Sequence, residues 1–115
     1  MSVENITCDD LKAMVKKGEA EIIDIRENTE YNIVRMEGVK HIPMNKLVDR
    51  LDEIDWNKKV IFMCRTGWRS KHLARALAGN KNILNLNNGI YECYMDKECK
   101  KIEVIEELKV KEYFA

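Results

Sequence analysis

The apolar run Val60-Ile61-Phe62-Met63, followed at once by Cys64-Arg65-Thr66-Gly67, constrains this chain most. A run that short and continuously apolar reads as a strand, Lys59–Met63, covered on both faces. Such a strand needs a sheet with a layer packed on either side. Residues 70–78 are rich in Ala and Leu and predict a helix, with Gly79 at its end. Cys64 therefore falls at the carboxyl end of the clearest strand, just before a tight loop and a helix.

The remaining segments alternate in the same manner. Thr7 with Asp10 forms a capping-box pattern, Leu11, Met14 and Val15 follow at helical spacing, and Gly18 closes the helix. Residues 21–25 read as a strand, 28–34 as a short helix begun by Asn28 or Thr29, and 39–42 as a strand stopped by Pro43. Asn45 caps a third helix with Leu47, Val48, Leu51 and Ile54 on its apolar face. Residues 82–86 give a last strand, and Asn87-Asn88-Gly89 a turn. A final helix is expected over about 102–113, with Ile102, Ile105 and Leu108 on one face. The alternation predicts an α/β fold, an open parallel sheet with helices on both faces. In such folds the active loops lie at the carboxyl ends of strands, where Cys64 stands.

A length of 115 residues, without linker or repeat, predicts one domain spanning residues 1–115. Lys and Arg total 20, as do Asp and Glu, so net charge offers no argument for a nucleic acid or membrane partner. The first ten residues are polar and acidic, and the apolar stretches are far short of a membrane span. A cytoplasmic location is the expectation. The four cysteines form no Cys-x-x-Cys pair and have no zinc spacing with histidine. A disulfide framework is not expected, so each cysteine is weighed singly.

Thr66 and Gly67 are small enough for the Cys64 loop to curl and point backbone N–H groups inward. The amino end of the next helix adds free N–H groups and a positive dipole. Arg65 and Arg69 add fixed positive charge. All three features favour a negative sulfur at Cys64, a bound oxyanion or a persulfide anion. A lone buried strand-end cysteine would be unremarkable; strand, cysteine, small loop, two arginines and helix together point to chemistry.

The segment Cys64-Arg65-Thr66-Gly67-Trp68-Arg69-Ser70 resembles the active-site loop of rhodanese-like sulfurtransferases. Asp24-Ile25-Arg26-Glu27, with Glu30-Tyr31 after it, resembles the family's Asp-Val-Arg-Glu segment. His41-Ile42-Pro43 and Leu86-Asn87-Asn88-Gly89 add weaker matches. The resemblance spans about Thr7 to Cys93, leaving 97–115 as a helical extension. It implies a five-stranded parallel sheet and a persulfide mechanism. The Cys64 thiolate takes the outer sulfur of thiosulfate, a persulfide or a polysulfide, and a thiol or cyanide acceptor then removes it. It implies that Arg65 faces the pocket and attracts the donor, and that Thr66 offers its hydroxyl. Gly67 permits the turn, and Trp68 walls the entrance or packs on the helix. Arg69 either binds the anion or ties the loop to a neighbouring acid. Asp24, Arg26 and Glu27 are expected to be architectural. The resemblance calls for no cofactor and no metal, and assigns His41 and His72 no catalytic role. Its partners are a small sulfur donor, an acceptor and a sulfur-accepting protein.

Four residues separate Cys64 from Arg69, and Met63 stands where related phosphatases have histidine. That shorter loop suits a sulfur atom better than a phosphate. Two segments depart from the family pattern. Val34-Arg35-Met36-Glu37-Gly38-Val39 replaces a Gly-His-Ile-Pro-Gly-Ala segment, and Cys93 stands where a tryptophan is common. Cys93 is therefore either a core filler or a partner for Cys64, with Cys8 a helix-start filler and Cys99 an exposed thiol. Alternative readings are a persulfide carrier or a redox-signalling module acting with a partner protein.

Overall fold

The computed structural model describes residues 3–77, 79 and 82–115. Strand β1 (Glu4–Ile6) leads into α1 (Cys8–Lys16). There the Thr7 hydroxyl accepts from the Asp10 amide and the Asp10 carboxylate accepts from the Thr7 amide, completing the predicted box. Then come β2 (Ala20–Asp24), α2 (Asn28–Tyr31), β3 (Val34–Met36), β4 (Lys40–His41) and a 3-10 segment, Met44–Glu53. Strand β5 (Lys59–Met63) precedes α3 (Trp68–Leu77), β6 (Ile83–Leu86), α4 (Gly89–Met95), β7 (Ile102–Val104) and α5 (Glu107–Tyr113). Residue 78, where helix α3 was expected to end, lies outside the described residues.

The main sheet has the order β1-β6-β5-β2-β4, and every pairing in it is parallel. The predicted α/β class and five-stranded parallel sheet are therefore observed. Strand β5 lies at its centre, between β2 and β6. Alternation along β5 splits its side chains between two apolar layers. Val60, Phe62 and then Cys64 pack with Leu73 and Ala74 of α3 and with Leu47 of the 3-10 segment. Ile61 and Met63 pack on the other face with Leu11 of α1 and Ile90 and Cys93 of α4.

Several expected elements differ. The segment after Pro43 is a 3-10 helix interrupted at Arg50, and Val48 on its expected apolar face is exposed. The final helix begins at Glu107 instead of 102. Residues Ile102–Val104 form β7, antiparallel to β3 in a small second sheet. Leu108, placed on the expected apolar face, is 95% exposed. The spacing of Ile102, Ile105 and Leu108 mimicked a helical stripe, but pairing with Val34–Met36 satisfies the backbone as strand. The extension is thus a strand and a short helix folded back on the domain. No helix among the described residues is long and apolar enough to cross a membrane.

Candidate active site

Cys64 follows β5 at the carboxyl edge of the sheet and is 1% exposed. Its Sγ accepts a hydrogen bond from the Gly67 amide at 3.1 Å and lies 3.4 Å from the Ser70 hydroxyl. The predicted turn toward sulfur is therefore made by one backbone N–H just before helix α3. That helix starts at Trp68, two residues earlier than expected, so Trp68 and Arg69 belong to its first turn.

The loop is held from behind. Ile90 and Tyr91, in the first turn of α4, donate their amides to the Cys64 and Arg65 carbonyls at 2.9 and 3.1 Å. Free N–H groups at a helix start thus meet the carbonyls of a tight loop. Both approaches depend on glycine. Gly67 has φ +93°, and a Cβ there would overlap the Asn87 carbonyl. Gly89 has φ +61°, and a Cβ there would overlap the Cys64 and Arg65 carbonyls.

Ser70 and Asn85, which the sequence did not single out, complete the floor. The Ser70 hydroxyl lies 2.5 Å from Asn85 Oδ1, and Asn85 Nδ2 donates to Asn5 Oδ1 at 3.0 Å. Both Ser70 and Asn85 are fully buried. A buried asparagine in an otherwise apolar strand, Ile83-Leu84-Asn85-Leu86, is the signal that could have found this network.

The two loop arginines each contact a neighbouring element. Arg65 turns to the carboxyl-terminal helix, with Nη1 3.1 Å from the Tyr113 carbonyl and the guanidinium over the Tyr113 ring. Arg69 makes a two-point ion pair with Glu30, 2.7 Å at each oxygen. This is the tie to a neighbouring acid that the sequence held open. Tyr113 adds its hydroxyl to Glu30 at 2.6 Å. Burial pushes the Glu30 carboxyl up, but Arg69 and Tyr113 outweigh it and hold it down to about 2. Burial and the neighbouring carboxylate push the Tyr113 hydroxyl up, against the opposing effect of Arg26.

Asp24 and Arg26 form a wholly buried pair, with Arg26 Nη2 2.7 Å from Asp24 Oδ2 and also 2.7 Å from the Val34 carbonyl. Glu27 precedes α2 and donates its amide N–H to the Glu30 carboxylate at 3.1 Å. These three residues support neighbouring backbone rather than contacting Cys64 sulfur. Thr66 is exposed. Trp68 is 71% exposed and meets the His72 ring edge-on. His41 bonds the Arg26 carbonyl and stacks on Tyr31. A cleft of about 570 Å³ beside the loop is lined by Glu27, Thr29, Met44 and Arg69.

Cys93 does not pair with Cys64. It is disulfide-bonded to Cys8, across the opposite face of the sheet, with Cα atoms 5.5 Å apart. The expectation of no disulfide, and of Cys8 as a mere filler, is thereby corrected. The two residues are 85 positions apart, so only the packing of α1 on α4 brings them together. Cys99, expected to be exposed, is partly buried beside them.

A parallel sheet covered on both faces, with a cysteine on a pinned strand–loop–helix junction at its carboxyl edge, defines the class of the molecule as an α/β domain. The rhodanese-like domain family model matches residues 7–96, and the chain belongs to that family. It is 32% identical over 92 residues to the "Putative sulfur carrier protein YrkF" of Bacillus subtilis (strain 168), covering 77% of this chain and 50% of that protein. The chain thus spans half the length of that relative. It is 28% identical over 78 residues to the "Putative sulfurtransferase YtwF" of the same organism, covering 67% of this chain and 76% of that protein. A rhodanese-like domain protein from Staphylococcus aureus superposes with a TM-score of 0.74 at 25% identity, covering 89% of this chain and 98% of that one.

Proposed function

We propose that the protein is a sulfurtransferase that carries sulfane sulfur as a persulfide on Cys64. The carrying observation is the Gly67 N–H aimed at Cys64 Sγ in a loop pinned by two α4 amides. A fixed donor beside the sulfur stabilises the anion without reorganising during reaction. The Cys64 thiolate attacks the outer sulfur of thiosulfate. The sulfur–sulfur bond to the sulfonate breaks, and sulfite leaves with the electron pair. Cyanide or a thiolate then attacks the outer sulfur and restores the Cys64 thiolate. Sulfite is a good leaving group, so no general acid is required, and His41 and His72 stay outside the reaction.

Arg69 supports this reading over phosphate chemistry, because both its outer nitrogens are committed to Glu30. Thr66 and Trp68 form the exposed rim, and Arg65 joins the loop to α5. The exposed Trp68 favours a second reading, a persulfide carrier whose donor or acceptor is a protein that docks on this rim. Steady turnover of thiosulfate and cyanide to thiocyanate, lost in Cys64→Ser, supports the enzyme. A single stoichiometric release of sulfur, accelerated only by a partner protein, supports the carrier. Turnover that survives Cys64→Ser contradicts both.

A further inference from the structure

The second sulfur centre lies on the sheet face opposite Cys64's side chain. The Sγ atoms of Cys8, Cys93 and Cys99 all lie within 4.8 Å of one another. They belong to an apolar layer that includes Ile6, Leu11, Leu86, Ile90 and Phe114, with one carboxylate beside it, Glu92, which accepts from the Cys8 amide at 2.9 Å. Cys8 and Cys93 are buried and Cys99 is only partly so, which leaves an approach from solvent on the Cys99 side. No histidine or carboxylate joins the three sulfurs in the cluster found among the described residues. Positions 8, 93 and 99 carry no local spacing that marks the three cysteines as a group.

The geometry points to a binding site for one trivalent thiophilic metalloid, of the arsenite class, on reduced Cys8, Cys93 and Cys99. Two observations select this ligand class. An ion about 2.3 Å from each of three thiolates places the sulfurs no more than about 4 Å apart. The cluster is within reach of that triangle once the Cys8–Cys93 bond opens. Charge decides the rest. Three thiolates on a trivalent centre make a neutral complex, whereas zinc or a monovalent ion would leave net negative charge in an apolar layer. Zinc would also lack a protein ligand for its fourth position.

The disulfide and the metalloid exclude each other, so reduction gates the site. One dithiol, oxidised to its own disulfide, converts Cys8–Cys93 into two thiols. Arsenous acid then reacts with three thiols, forming three arsenic–sulfur bonds and releasing three waters. No electron is transferred in that second step.

The test uses the full chain as Cys64→Ser, which removes the other thiol, reduced with a phosphine because a dithiol would itself capture arsenite. After addition of arsenite, native mass spectrometry is expected to show one arsenic gained and three hydrogens lost. All three thiols should be protected from iodoacetamide. The unreduced protein should gain nothing. In the additional variant Cys99→Ser, any adduct should keep a hydroxyl on arsenic, with affinity lowered by at least about 100-fold, since even supporting groups around a metal matter that much. The proposal is overturned by no adduct on the reduced protein, by a Cys99 thiol that still alkylates in the adduct, or by the same adduct in Cys99→Ser.

Discussion

The hydrogen-bonding neighbours of the Cys64 sulfur are a backbone amide, that of Gly67, and one hydroxyl, that of Ser70. Ser70 sits 3.4 Å from the sulfur and is held in place by Asn85. A single hydrogen bond is worth about 1 kcal/mol, so Ser70→Ala is expected to slow sulfur uptake by roughly fivefold while the protein stays folded. Stopped-flow mixing with thiosulfate measures this; an unchanged rate would remove Ser70 from the site. Glu30 supplies a pH signature. Its carboxyl is held at about 2 in the folded protein, below its ordinary value of 4.5. The folded state therefore binds fewer protons than the unfolded one between those values. The resulting stabilisation is fully present above the unfolded value and is lost as pH falls from 4.5 through 2. Glu30→Gln should flatten the acid-unfolding curve in that window, as read by circular dichroism against pH.

At the scale of elements, the buried Asp24–Arg26 pair fixes the end of β2 to the Val34 carbonyl that opens β3. Removing one partner leaves an uncompensated buried charge, so Asp24→Ala is expected to cost about 3–5 kcal/mol in urea unfolding. Arg26→Met with Asp24→Leu should cost less than that single change. Gly89→Ala tests the α4 contact differently, since the added methyl would meet the loop carbonyls and displace Cys64. Its expected result is a folded protein with much reduced sulfur loading. Strand β5 and its loop were legible in the sequence because their signal is local: four apolar residues, a cysteine, then small and basic residues. Thr7 and Asp10 were legible for the same reason. The β3–β7 pair was not, because strands of three residues carry too short a pattern to outweigh a chance helical spacing. The contact of Arg65 with Tyr113, 48 residues away, was not legible either, because nothing local marks it.

For the whole molecule, the Cys8–Cys93 bond ties α1 to α4, the helix whose first amides hold the catalytic-loop candidate. Closing so long a loop restricts the unfolded chain, so reduction is expected to lower stability by about 2–4 kcal/mol. Urea midpoints with and without a phosphine reductant measure the effect, and equal midpoints would show that the bond carries no stability. Because Cys64 packs on the other face from Cys93, the two sulfur chemistries should be separable. Persulfide formation on Cys64 is measured directly by intact-protein mass spectrometry after incubation with thiosulfate, on the wild type and on Cys64→Ser. The expected result is a gain of one sulfur atom in the wild type, removed by cyanide, and none in the variant. Sulfur gained equally by Cys64→Ser, or no gain by the wild type from thiosulfate, a persulfide or a polysulfide, would contradict it.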